Sequence, residues 1–105
     1  VETLVAVDAL SRFGYALSDP IRSRILVELS SGPGYPAELS DLLGVSRQRM
    51  SNHLACLRGC GLVVMVPEGR RARYELADKR LAHALEDLLS VVIAPDPDHL
   101  MPEDD

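Results

Sequence analysis

The stretch PAELSDLLGVSRQRMSNHLACLRGCG, Pro36 to Gly61, leaves a chain few ways to fold. From about Pro36 to Leu43 the leucines Leu39, Leu42 and Leu43 recur at helical spacing, with proline in the first turn and Gly44 to stop the helix. Ser46 then caps a second helical run that extends to Cys60, with Gly61 beyond its end. Only the tight Gly-Val-Ser turn separates the two, so they must cross at a steep angle, as in a helix-turn-helix.

The flanking segments extend this plan. Ala6, Leu10, Phe13 and Leu17 mark a first helix ending near Leu17, and Asp19-Pro20 restarts a second with Ile21, Ile25, Leu26 and Leu29 on its apolar side. After Cys60 the period changes from helix to strand. LVVMVP and RARYEL, joined by EGR, predict a hairpin with Ala72, Tyr74 and Leu76 on one face and Arg71, Arg73 and Glu75 on the other. A hairpin directly after a helix-turn-helix is a wing. A last helix is expected from about Asp78 to Ala94, and it carries more apolar residues than one small core can use, which points to a dimer interface. The expected fold is therefore mainly α with a small β-hairpin: a dimeric winged helix-turn-helix of about five helices and a two-stranded wing. Residues 1–94 form its single domain, and the acidic, Pro-rich residues 95–105 a mobile tail.

Charge narrows the function. The chain as a whole carries −5, yet residues 44–73 hold six arginines (Arg47, Arg49, Arg58, Arg70, Arg71 and Arg73) against Glu68 alone, a net of +5. A basic third in an acidic chain is the local footprint of phosphate binding. On a helical plot Met50, Leu54, Leu57 and Gly61 share one line, the core side of the fourth helix. The other sides hold Ser46, Arg47, Gln48, Arg49, Ser51, Asn52 and His53, residue types that pair with base edges or phosphates in a major groove. Arg70, Arg71 and Arg73 on the wing are candidates for phosphate or minor-groove contact. The expected partner is double-stranded DNA. No nucleophile–base pair, phosphate loop or spaced carboxylate pair is visible, so an enzyme is not expected, and no apolar run approaches a membrane span. VETLVAVDAL lacks a basic region ahead of an apolar core, so no signal peptide and a cytoplasmic location are expected.

Cys56 and Cys60 are the only cysteines. Helical neighbours four apart hold their Cβ atoms about 5–6 Å apart, against about 3.8 Å in a disulfide, so a bridge would distort the helix. They lie together about 100° from the core line. Two readings remain, small core residues or half of a metal site; the shared flank and the softness of thiolate donors favour the metal site.

LSDPIRSRILVEL, ELSDLLGVSRQRMSNHLACLRGCGLV and EGRRARYEL together resemble the ArsR/SmtB family of winged-helix metal-sensing repressors, from about Leu17 to Val92. Within it, NHLACLRGCGLVV looks most like the CmtR branch, cadmium- and lead-responsive repressors with two recognition-helix cysteines. The resemblance implies a homodimer built on the first and last helices, an inverted-repeat operator and release of DNA on metal binding. It also implies a third cysteine from the C-terminal tail, but APDPDHLM has none; His99, beside Asp96 and Asp98, is the nearest competent ligand. The expected cofactor is a transition or heavy metal ion, with Zn, Cd, Pb, Ni and Co all open, since N and O donors shift a thiolate site toward the harder metals. Two other family sites are missing: AELSDLL lacks the cysteine pair near the third helix, and the last helix offers Asp78 but Arg80, Val91 and Ala94 where histidines and a glutamate belong. The alternatives to a metal-responsive repressor are a winged-helix regulator without metal control, responding to redox state or a partner, and a protein-interaction module.

Overall fold

A computed structural model describes residues 2–91 of the chain. The order is α1 (Thr3–Leu17), α2 (Pro20–Ser30), α3 (Pro36–Leu43), α4 (Arg47–Gly59), β1 (Val63–Glu68), β2 (Arg71–Leu76) and α5 (Lys79–Ser90). This is a winged helix-turn-helix. None of these helices is long and apolar enough to cross a membrane.

Local chemistry sets the boundaries. The Asp19 carboxylate accepts from the backbone N–H groups of Ile21 and Arg22, which would otherwise lack partners at the start of α2. Ser46 Oγ does the same for Arg49 N–H at the start of α4, and Asp78 for Arg80 N–H at the start of α5. Gly44, at φ +69°, ends α3. At the end of α4, Gly61 N–H returns to Arg58 O and Leu62 N–H to Leu57 O, the paired bonds of a Schellman turn, which Gly61 permits at φ +81°.

The strands pair antiparallel from Val63 opposite Leu76 to Glu68 opposite Arg71, leaving Gly69 and Arg70 as the turn. Glu68, expected in the turn, thus ends β1. A third segment joins them: Gly34 exchanges both backbone hydrogen bonds with Tyr74, each 2.8 Å. A Cβ at residue 34 would lie 3.0 Å from Leu29 Cδ2, so glycine lets the chain pass this close to α2 and α3.

The core gathers Ile25, Leu26 and Leu29 of α2, Leu39 and Leu43 of α3, Met50, Leu54 and Leu57 of α4, then Ala16, Leu62, Val63 and Leu85. Two expectations fail. Leu42 is 56% exposed, because Leu39 and Leu43, four apart, share the buried line of α3 and Leu42 lies about 100° from Leu43 around the helix. Gly61 is exposed, because the helix has already ended and left the core line. On α1, Phe13 and Leu17 pack against the core, whereas Leu10 is 69% exposed. On α5 only Leu85 is buried; Leu88 and Leu89, and Val91 just past its end, face outward. The expected continuation of α5 to Ala94, the tail 95–105 and His99 lie outside the described residues.

Candidate nucleic-acid interface and thiol pair

Ser46 fixes where α4 starts, and the open side of the helix then presents Arg47, Gln48, Arg49, Ser51 and Asn52, all exposed. Gln48 Nε2 donates to Asn52 Oδ1 at 3.0 Å, which orients both amides one turn apart. Arg47 lies 3.8 Å from Asp41, both largely in solvent, a contact too weak to hold the guanidinium back. Ser46 Oγ spends its acceptor on Arg49 N–H and keeps its hydroxyl proton free to donate. His53 differs from its neighbours. It is half-buried, with Nε2 3.9 Å from Asp19 Oδ2, and turns toward α2 rather than the open side. Asp19 is held below the usual carboxylate range, first by the backbone N–H of Arg22, with His53 adding a smaller effect.

The wing arginines are not alike. Arg70, at the tip, is exposed and in no ion pair among the described residues. Arg71 donates to Glu38 Oε2 at 2.6 Å and stacks 3.6 Å above the Tyr35 ring. Arg73 is bonded to Glu68 and lies 3.7 Å from Glu75, which explains why Arg73 and Glu75 are half-buried while Arg71 on the same face is exposed. Tyr35 Oη donates to Glu68 Oε1 at 2.6 Å. That bond depresses the Glu68 carboxyl and raises the Tyr35 phenol.

Cys56 and Cys60 occupy the far end of α4. Both are free and half-buried, four residues apart on one flank of the helix. Burial pushes the Cys60 thiol up, and the neighbouring Cys56 adds to this; Arg22 and Arg12 act the other way. Arg12 of α1 donates to the Cys60 carbonyl at 3.1 Å, and Arg22 of α2 donates to the last carbonyls of α1, Ala16 O at 3.0 Å and Tyr15 O at 2.7 Å. No group of three or more His, Cys, Asp or Glu able to hold a metal ion exists among the described residues. The two sulfurs supply only part of a shell. Neither Arg12 nor the Tyr35–Glu38–Glu68 set is signalled by local periodicity, since their partners lie 48 and 33 residues away in the chain.

Comparison with known proteins gives a consistent result. Residues 19–64 match the model described as "Bacterial regulatory protein, arsR family". The HTH-type transcriptional regulator CmtR of Mycobacterium tuberculosis is 58% identical over 90 residues, spanning 86% of this chain and 76% of that protein. The NMR structure of the cadmium metal-sensor CmtR from the same organism superimposes with a TM-score of 0.68 at 53% identity, covering 90% of this chain and 99% of that one. A homodimeric winged helix-turn-helix DNA-binding domain from Mycobacterium bovis superimposes with a TM-score of 0.74 at 28% identity, over 83% of this chain and 82% of that one.

Proposed function

The chain belongs to the arsR family of bacterial regulatory proteins, and on that premise we propose that it is a homodimeric repressor that binds an inverted-repeat operator and releases it when Cys56 and Cys60 take up a metal ion. One observation carries this reading. One helix presents Arg47, Gln48, Arg49, Ser51 and Asn52 at its start, with Cys56 in its last turn and Cys60 as its C-cap.

The DNA side needs little rearrangement. Arg pairs with guanine O6 and N7, and Gln or Asn with adenine N6 and N7, when a helix enters the major groove by its N-terminal end. Arg70 extends from the wing toward phosphate. Two such helices must stand about 34 Å apart to read half-sites one turn apart. Leu4 and Leu10 of α1 and Leu88 and Leu89 of α5 are exposed apolar side chains available to a second copy.

The donor chemistry fits a soft cation: two thiols side by side, half-buried, with arginines nearby to offset negative charge. A bound metal ion supplies the charge that keeps both sulfurs deprotonated, against the burial that favours the Cys60 thiol. Structural zinc takes four ligands, so the remaining donors must come from elsewhere, and His99 with Asp96 and Asp98 is the candidate set. Thiolates favour Zn, Cd or Pb; a His and carboxylate contribution moves preference toward Zn, Ni or Co. Release needs only modest coupling: about 1–3 kcal/mol lowers operator affinity by about 5–150-fold. Arg12, bonded to the Cys60 carbonyl, ties that end of α4 to α1 and so to the proposed dimer face.

Metal titration of the complex with a duplex from upstream of the protein's own gene is the test. Metal should dissociate the wild-type complex with thiolate-to-metal charge-transfer absorption for Cd or Co. Cys56→Ser or Cys60→Ser should keep DNA binding and lose the metal response, and His99→Ala should weaken or recolour the site. DNA binding indifferent to metal, with no thiolate band, would leave a winged-helix regulator without metal control.

A further inference from the structure

Three arginines within four positions, Arg70, Arg71 and Arg73, make the wing look like a uniform phosphate clamp, but their surroundings separate them. Arg73 is structural: its side chain is 30% exposed, Glu68 and Glu75 flank it, and its Nε is buried without a partner. Arg71 is different again. Its side chain is 53% exposed, yet Glu38 binds it at 2.6 Å and the Tyr35 ring lies beneath it at 3.6 Å. Both holding groups come from the start of α3, not from the wing. Tyr35 also bonds Glu68, and the paired backbone bonds between Gly34 and Tyr74 lock this end of α3 to the hairpin.

We propose that Glu38 and Tyr35 form a charge gate that withholds Arg71 from DNA phosphate, so that the wing takes phosphate through Arg70 and sequence discrimination stays with α4. The proposal rests on the DNA-binding reading above and assigns Glu38 and Tyr35 as specificity-determining residues. Phosphate contacts strengthen binding to every sequence alike, whereas base contacts strengthen binding to one. An arginine neutralised within the protein therefore lowers non-specific affinity and raises the specificity ratio, the quantity that matters among a genome's competing sites. The gate is also releasable. Unlike Arg47, whose only ion-pair partner among the described residues lies 3.8 Å away, Arg71 is held by a 2.6 Å contact and a ring beneath it, and removing the Glu38 carboxylate leaves its guanidinium exposed to phosphate.

The test measures binding against salt concentration for two duplexes, one of random sequence and one from upstream of the protein's own gene. Arg70→Ala should flatten the slope of log K against log salt by about 0.9 per lost phosphate contact, and Arg71→Ala should leave it unchanged. Glu38→Ala should steepen the slope and tighten the random duplex about 2–5-fold, with a smaller gain on the specific duplex. That gain should vanish in Glu38→Ala/Arg71→Ala, which separates a freed arginine from a general loss of negative charge. Glu38→Gln, which keeps the side-chain volume at the start of α3, should move the same way by less. The gate is overturned if Arg71→Ala flattens the slope as much as Arg70→Ala, or if the Glu38→Ala gain survives removal of Arg71. A wild-type protein with no salt-dependent binding to either duplex would overturn the DNA-binding reading and the gate with it.

Discussion

α4 and α5 are helices of similar length, each opened by a side-chain cap and each carrying leucines at helical spacing, yet they use them differently. α4 buries Met50, Leu54 and Leu57 to 1% exposure or less, while α5 buries Leu85 alone and leaves Leu88 and Leu89 at 51% and 59%. A helix that crosses the middle of a core has its apolar line covered by the same chain. A helix lying across the outside has one line covered and the next open. The surplus on α5 is the surface proposed above to meet a second copy, and the difference lies in position rather than composition.

The largest effect expected from this contrast is on stability. Leu57→Ala removes a fully buried side chain and should cost about 2–5 kcal/mol in urea unfolding, whereas Leu89→Ala on an isolated protomer should cost far less. Equal losses would erase the distinction. Next comes assembly. Leu88→Glu puts a carboxylate on the open line of α5 and should yield a folded monomer by sedimentation, with helical circular dichroism retained. Leu85→Glu should unfold instead, because Leu85 belongs to the core. A normal Leu88→Glu dimer would move the interface off α5.

Smaller effects sharpen the comparison at the helix starts. Ser46→Ala leaves Arg49 N–H unpartnered at the reading end of α4 and should cost about 1 kcal/mol, with a drop in operator affinity. On α5 the cap is charged: hydrogen bonds from the Arg80 side chain and backbone hold Asp78 down to about 2. Because folding lowers this pKa, its contribution is fully present above the ordinary carboxylate value and is lost as pH falls toward about 2. The stability difference between wild type and Asp78→Asn should therefore shrink between about pH 4 and pH 2. A difference that did not change with pH would mean the charge adds nothing to the cap.

Much of the reading end was legible in the chain. The Ser46 cap, the Met50–Leu54–Leu57 line and the Gly61 stop depend on residues a few positions apart, so helical spacing alone reveals them. The adjacency of Cys56 and Cys60 is visible for the same reason. His53 shows the limit: spacing placed it beside the exposed set, but the packing of α4 on α2 turned it toward Asp19. Leu42 shows it again, since three leucines in an eight-residue helix leave open which line the core covers, and packing covered the Leu39–Leu43 line.

Sequence by itself determined the elements of this protein, their caps and turns, the basic third and the thiol pair, because each depends on neighbours within about four residues on a helix or two on a strand. Only the tertiary structure decided which charges are free to act. Arg70, Arg71 and Arg73 are chemically identical and almost consecutive, but Glu38 and Tyr35 reach the wing across 33 residues of chain, and Arg12 reaches Cys60 across 48. Such pairings arise when packing brings distant segments together, and no local pattern of residues encodes them.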